Sequence, residues 1–371
     1  MLRVRTGYSF RTAAGMLDSV MARLQEVGAA YAPISDRAST FGWVRWNKLA
    51  KKAGLKPVFG VELAVTGSLN AKKPAVDYWT FFAKDDLRDI NELVYLATSQ
   101  FRYEPLLSYE QALRADGLIK IVGSRSLLDQ IPPQDDLYVA LSPSAAKGYV
   151  TEALKMGHKF VASSDNKYVN KDDEGFYEVL CGRGASTQTY AQHILSEAEW
   201  RKAVARVASP ELIDLSWTTA AHIADECKAA LKTATLLSPA KPQTLEEMCR
   251  AGAKKLNISL DDPVYEARLQ RELALIKEKQ FEDYFYIIAD VMQFARQKMI
   301  CGPARGSSCG SLVCYLLEIT TIDPIPFDLL FERFIDITRN DLPDIDIDFS
   351  DQKRHMVFEY MEKKYGRDHI A

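Results

Sequence analysis

The sequence is short of histidine, of basic excess, of paired cysteines and of long apolar runs. Its five histidines, His158, His193, His222, His355 and His369, are scattered and read as surface or core residues rather than as a ligand set. Lysine and arginine number 47 against 50 aspartates and glutamates, a net charge of −3. A nucleic-acid partner therefore cannot be argued from charge balance. Six cysteines form no CxxC pair and no repeated spacing, which argues against a zinc ribbon or a disulfide framework and fits a reducing, cytoplasmic compartment. Met1 to Phe10 alternates polar and apolar residues and lacks the apolar run of a signal peptide. No stretch approaches the length of a membrane span, so no membrane partner is expected. Internal repeats and low-complexity tracts are missing as well.

What is present is globular. The 371 residues, 47% hydrophobic and 26% charged, suffice for two or three domains with a substantial core. Near the C-terminus, Asp341-Leu342-Pro343-Asp344-Ile345-Asp346-Ile347-Asp348-Phe349 alternates carboxylates with apolar residues. Alternate side chains of an extended strand face opposite sides. Ile345, Ile347 and Phe349 should enter a core, leaving Asp344, Asp346 and Asp348 as a row. Like charges in a row repel and call for a cation. Two divalent metals about 3.5–4 Å apart would supply it. A solvated edge strand that uses its charge to stay unpaired is an equal reading of this stretch by itself.

Upstream, Cys301-Gly302-Pro303-Ala304-Arg305-Gly306-Ser307-Ser308-Cys309-Gly310-Ser311 forms a Gly/Ser loop running into an apolar segment, Leu312 to Ile319, that reads as a helix. Small residues let a backbone approach a ligand, and free N–H groups at a helix start attract anions. Arg305 adds a planar cation suited to phosphate. No Gly-Lys-Ser/Thr follows, so this is not a Walker loop. Alone, it is an ordinary turn with a cap. A phosphate loop followed by a metal-binding aspartate strand describes a nucleoside triphosphate beside two metals, and hence phosphoryl or nucleotidyl transfer.

The N-terminal half alternates strand-like and helix-like segments: Leu2 to Arg5, Met16 to Val27, Tyr31 to Ile34, Trp43 to Lys52, then Pro57 to Val65. Short joints between them predict a parallel α/β sheet or barrel. Tyr78 to Ala83, Gly117 to Val122 and Leu137 to Leu141 continue it as strands. Thr218 to Leu231 has helical spacing. Leu237 to Gln243 is a Pro-containing linker, which divides the chain into residues 1–237 and 238–371. Beyond it lie a helix opened by a Thr244-x-x-Glu247 capping box, a charged helix from Pro263 to Lys279 and an apolar helix from about Asp283 to Lys298.

Taken together, Tyr284-Phe285-Tyr286-Ile287-Ile288-Ala289-Asp290, Gly302-Pro303-Ala304-Arg305-Gly306-Ser307, Gly310-Ser311-Leu312-Val313, Leu330-Phe331-Glu332-Arg333-Phe334 and Pro343-Asp344-Ile345-Asp346-Ile347-Asp348-Phe349 resemble, in that order, the palm of the bacterial C-family replicative polymerases, the DNA polymerase III alpha subunits. The resemblance implies that Asp346 and Asp348 bind two catalytic Mg²⁺ ions. It also implies that Gly302, Arg305, Gly306, Ser307, Ser308, Gly310 and Ser311 hold the incoming dNTP. Glu332, Arg333 and Asp344 are expected to be structural or to support the site residues from behind. Residues 1–237 resemble the PHP domain of that family, a distorted (β/α)7 barrel with a metal-dependent phosphoesterase-type site. The matches are Arg3-Val4-Arg5-Thr6-Gly7-Tyr8-Ser9, Ile34-Ser35-Asp36-Arg37, Phe41-Gly42, Pro57-Val58-Phe59-Gly60-Val61-Glu62 and Val161-Ala162-Ser163-Ser164-Asp165-Asn166-Lys167-Tyr168. The expected fold is therefore a PHP-type barrel followed by a partial, nucleotidyltransferase-like α+β palm.

The first half departs from its family pattern. Histidines are replaced by Met1, Arg5, Arg37 and Lys167 and an aspartate by Gly7, whereas Asp36, Glu62 and Asp165 remain. Arginine and lysine are not metal ligands at neutral pH. No metal is expected there, and Arg5, Arg37 and Lys167 should pair with Asp36, Glu62 and Asp165 instead. Arg268, Arg271, Lys277, Lys279, Arg296 and Lys298, with Lys353, Arg354, Lys363, Lys364 and Arg367, form a candidate DNA-facing set or a solvated face.

By the family plan the third metal-binding aspartate, the thumb, most of the fingers, the clamp-binding segment and an OB domain lie past Ala371. The chain is then a piece of a longer polymerase, one half of a split polymerase or a degenerate relative. Its implied partners are primer–template DNA, dNTP, the polypeptide carrying that remainder and, through it, a sliding clamp. Alone it should bind nucleotide poorly and extend primers negligibly. A self-sufficient nucleotidyltransferase and a non-catalytic scaffold stay open.

Overall fold

The computed structural model describes residues 1–72, 74–100, 103–123, 126–181, 190–232, 237–303, 305–336, 338 and 342–370. Ala304 of the Gly/Ser loop and Asp341 of the aspartate stretch lie outside them. The chain divides into two compact units, Met1–Thr233 and Ala234–Ala371.

The first unit is built on a mixed, seven-stranded sheet. Its strands are β1 (Tyr31–Arg37), β2 (Lys56–Thr66), β3 (Val76–Ala83), β4 (Leu106–Ser108), β5 (Leu118–Val122), β6 (Leu137–Leu141) and β7 (Lys159–Ala162). Order runs β1-β2-β3-β5-β6-β7, with β4 added beside the far end of β2. The expected all-parallel arrangement fails at β3, which runs antiparallel to β2 and β5. The physical reason is the connection: the described residues between β2 and β3 form no helix, and a parallel return needs a crossover.

The segment Leu2–Arg5 is not a continuous strand, because Arg3 takes φ 62°. It still closes the sheet. Leu2 N–H donates to Ala162 O (3.0 Å), Ser164 N–H to Leu2 O (2.9 Å) and Ser35 N–H to Val4 O (2.8 Å). These bonds place the first residues between β7 and β1, so the sheet curls into a barrel. Trp46, Trp79, Phe59, Phe81 and Phe82 are fully buried in its core.

Helices α1 (Leu17–Glu26), α2 (Trp43–Ala53), α3 (Leu87–Ser99), the short α4 (Tyr109–Leu113) and α5 (Lys147–Lys155) alternate with the strands; α6 (Glu174–Cys181), α7 (Glu197–Val204) and α8 (Pro210–Glu226) follow. The α8 helix stops at Glu226, short of the expected Leu231. Beyond it the chain is claimed by the barrel, where Ala229 N–H donates to Lys84 O at 2.8 Å.

The second unit is helical: α9 (Leu245–Lys255), α10 (Pro263–Glu278), α11 (Glu282–Lys298), α12 (Leu312–Leu316) and α13 (Arg354–Tyr365). The Thr244–Glu247 capping box forms as read, and Asp262 caps α10 with Pro263 in its first turn. Leu269, Ile276, Phe285, Leu312, Val313, Leu316, Phe331 and Ile345 share one core. The apolar segment after the loop stays helical only to Leu316, and Glu318 then turns with φ 56°. No regular strand forms among the described residues here, contrary to the α+β expectation. The aspartate stretch makes two isolated antiparallel bridges, Cys301 with Phe349 and Arg305 with Asp346. One short neighbour on one side, and a row of carboxylates on the other face, do not propagate a ladder.

Candidate functional site

The barrel of the first unit carries a buried charge cluster centred on Glu62 of β2. Its side chain is 1% exposed. Arg37 Nε donates to Glu62 Oε1 (2.7 Å), while Arg5 Nε and Arg3 Nη2 each donate to Oε2 at 3.1 Å. Arg3 also faces Asp165 at 3.5 Å, and Arg37 stacks on Tyr78 with its guanidinium 3.6 Å from the ring centre. Burial pushes the Glu62 carboxyl up, but Arg5, Arg37 and Arg3 outweigh it and hold the group well below the usual carboxylate range. Asp165 behaves alike: burial is overruled by Arg3 and Arg5.

Two expectations need correction here. Asp36 is met by neutral donors rather than by a paired cation: Thr6 N–H (2.6 Å), Thr6 Oγ1 (2.8 Å) and Ser9 Oγ (2.6 Å). Burial raises its pKa despite them. Lys167, expected to pair with one of the three carboxylates, instead lies with Nζ 5.8 Å from the Tyr177 ring centre, and the cation beside Asp165 is Arg3. His158 is a buried histidine whose ring nitrogens meet no hydrogen-bond partner among the described residues, and burial lowers its pKa, which suits a neutral ring.

In the second unit the Gly/Ser loop packs on the aspartate stretch. Gly302 N–H donates to Asp348 O at 2.9 Å. A Cβ on Gly302 would lie 3.0 Å from Asp348 Cβ; one on Gly306, whose φ is +74°, would lie 2.9 Å from Asp346 Oδ2. Both glycines are needed for this approach. Arg305 extends over the pair, 3.4 Å from Asp346 Oδ1 and 3.4 Å from Asp348 Oδ1. The cation that the carboxylate row calls for is, within the chain, Arg305. The face alternates only in part: Ile345 is buried but Ile347 and Phe349, expected in the core, are half-buried; Asp344 is exposed, and the Asp346 and Asp348 side chains are 37% and 61% exposed.

The rest of the loop is tied to its surroundings. Ser308 is buried and donates to Arg305 O (3.1 Å), and Gly310 packs against Leu330 O. Ser311 caps α12 and donates to Glu272 Oε2 at 2.9 Å. The first N–H groups of α12, expected to await an anion, already have one. Leu312 N–H and Val313 N–H donate to the two Glu272 oxygens at 2.9 and 3.0 Å. Burial raises the Glu272 pKa against these donors and Arg268. The side chains left for a ligand are Arg305 and Ser307, beside the glycine backbone at 302 and 306.

Several members of the basic set are tied to partners within the unit. Arg268 is tied to Glu272, Arg271 reaches Glu332 (3.3 Å), Arg296 donates to Glu318 O (3.1 Å) and Lys364 binds Asp290. Asp290 also accepts from Tyr360 (2.8 Å) and Tyr365 (2.7 Å), which fastens α13 to α11 directly after the aspartates. Among the described residues no three His, Cys, Asp or Glu side chains form a metal-holding group, and no helix is long and apolar enough to cross a membrane.

Residues 1–231 match the PHP domain family model. The chain belongs to the PHP domain family. Residues 243–371 match the model described as the bacterial DNA polymerase III alpha NTPase domain, so the PHP domain is followed here by polymerase sequence. The DNA polymerase III subunit alpha of Bacillus subtilis (strain 168) is 28% identical over 426 residues, covering 100% of this chain and 36% of that protein. That of Staphylococcus aureus (strain MRSA252) is 31% identical over 394 residues, covering 100% and 35%. A stretch of 133 residues, 35% of this chain and 14% of the relative, is 49% identical to the DNA polymerase III subunit alpha of Ureaplasma parvum serovar 3 (strain ATCC 700970). The chain spans little more than a third of the length of the relatives that it matches throughout.

Proposed function

We propose that this chain supplies the PHP domain and the loop-and-aspartate part of the palm to a cytoplasmic, template-directed DNA polymerase that adds dNTP to a primer 3′-hydroxyl. The observation that carries the reading is the packing of Gly302 and Gly306 against Asp348 and Asp346 under Arg305. Two half-exposed carboxylates on one face suit Mg²⁺, which is commonly held by one or two carboxylates and completed by water and substrate phosphates. Asp346 and Asp348 would hold it, and when bound it supplies charge neutralisation at the triphosphate and at the attacking oxygen. Gly302 and Gly306 admit the phosphates close to the backbone. Arg305 offers a planar fork of donors to them, and Ser307 a hydroxyl. The remaining palm, with DNA and clamp contacts, comes from sequence beyond these residues. In the barrel, arginines stand at ligand positions and already occupy Glu62 and Asp165, so that unit holds no catalytic metal; stoichiometric zinc or manganese retained by a chain carrying both Asp346→Asn and Asp348→Asn would refute this.

Primer extension by the whole polymerase that contains this sequence tests the catalytic reading. Asp346→Asn should lower single-turnover extension by about 10³-fold or more, roughly 4 kcal/mol of barrier, with the fold retained. Extension at the unaltered rate would overturn it and favour a scaffold.

A further inference from the structure

The exit of the Gly/Ser loop is gripped by one face of α10. Arg268 and Glu272 lie one turn apart on that helix, so their side chains stand together. Arg268 Nη2 donates to Gly310 O (2.6 Å) and Leu329 O (2.8 Å), and its Nε donates to Glu272 Oε1 (2.6 Å). Glu272 Oε1 also accepts from Leu312 N–H, and Oε2 accepts from Ser311 Oγ and Val313 N–H. Four consecutive residues, Gly310 to Val313, are thus held by a guanidinium and a carboxylate that complete each other. The side chains are 13% and 0% exposed, which rules out a solvated surface pair. A carboxylate buried this deeply is tolerated because each oxygen takes two donors.

We propose that Arg268 and Glu272 are positioning residues that set the Gly302–Ser311 loop against Asp346 and Asp348, so that a triphosphate is received by the Gly302–Ser307 side of the loop and not by the start of α12. The inference rests on the nucleotide reading of that loop. Its entry is fixed to the aspartate stretch through Gly302 and the Arg305–Asp346 bridge. Its exit is fixed to α10. With both ends tied, a shift at Gly310 is passed to Gly306 and Arg305 a few residues earlier, where the close glycine contacts leave no slack. The N–H groups that would otherwise compete for phosphate are filled by Glu272.

Two readouts on the full chain decide it. Glu272→Gln turns an acceptor oxygen into an N–H₂ donor facing N–H groups. Amide hydrogen exchange at residues 302–313 should speed up by about tenfold. The affinity for Mg·dATP, titrated on the same protein, should weaken by about tenfold or more. Weak binding by the wild type suffices, since the ratio is read. Unchanged exchange overturns the anchoring. Faster exchange with unchanged dATP affinity overturns the positioning role and leaves a fold brace. If the wild type takes up no Mg·dATP, the nucleotide reading fails by itself, and the exchange arm still decides whether Glu272 holds the loop. Should Glu272→Gln not fold, Ser311→Ala removes one contact and should give the same pair of shifts at about threefold.

Discussion

Both units set arginine against carboxylate, with opposite outcomes. In the barrel, Glu62 is enclosed by Arg3, Arg5 and Arg37, and all but Arg37 are nearly out of solvent. In the second unit one arginine covers two aspartates, and all three side chains remain more than a third exposed. The first arrangement is closed: both Glu62 oxygens accept from arginines in a site nearly out of solvent. The second is open: Asp346 and Asp348 keep acceptor capacity, and the covering guanidinium can leave at little cost in water. Burial, rather than the identity of the charged groups, separates a structural ion cluster from a site able to exchange its counter-ion.

Breaking the closed cluster should have the largest effect. Glu62→Gln leaves the buried Arg3 and Arg5 and the half-buried Arg37 short of their shared partner. It should destabilise the first unit by about 3–5 kcal/mol, read from urea denaturation of the chain. A loss below about 1 kcal/mol would mean that water reaches the cluster and that the contrast with the open site is false.

Acid sharpens the same comparison. Glu62 and Asp165 have folded pKa values depressed by their arginines. Their stabilisation is present above the unfolded values of about 4.3 and 3.9 and is lost as pH falls toward the folded values, at up to about 1.4 kcal/mol per pH unit for each group. Asp36 and Glu272 shift the other way, raised by burial. Their contribution is present below the unfolded values and is lost as pH rises through the folded ones. The first unit should therefore lose stability steeply below about pH 4, and Glu62→Gln should flatten that slope. An equal slope in the variant would assign acid sensitivity to other groups.

Much of this was legible beforehand. The period-2 alternation of Asp344 to Phe349 placed its carboxylates on one face without knowledge of any partner. The arginines at 5 and 37 announced themselves by standing where ligands are expected, and Thr244 and Glu247 by their spacing. Other features depend on contacts that no local pattern encodes. Arg268 reads only as one of a DNA-facing or solvated set and Glu272 gives no signal, because the contacts that bury them come from α12, some forty positions on. Arg3 joins the cluster because its residue closes the barrel between β7 and β1. The antiparallel β3 follows from a connection that forms no helix. The palm strand did not become a ladder because pairing needs a neighbour as well as a pattern.

The smallest effect should come from opening the exposed site. Arg305→Ala removes an ion pair that is largely in water, so stability should change by no more than about 1 kcal/mol. Its consequence lies elsewhere. With the guanidinium gone, Asp346 and Asp348 repel each other unopposed, and a divalent cation no longer competes with Arg305 for them. Mn²⁺ without nucleotide should bind this variant about threefold to tenfold more tightly than the wild type, while Mg·dATP should bind more weakly because a phosphate donor is lost. Both shifts are readable on one preparation by titration. If Mn²⁺ affinity falls instead, Arg305 is holding the carboxylates in a metal-ready arrangement rather than standing in for the ion. The two units would then differ in burial alone and not in whether the counter-cation can be exchanged.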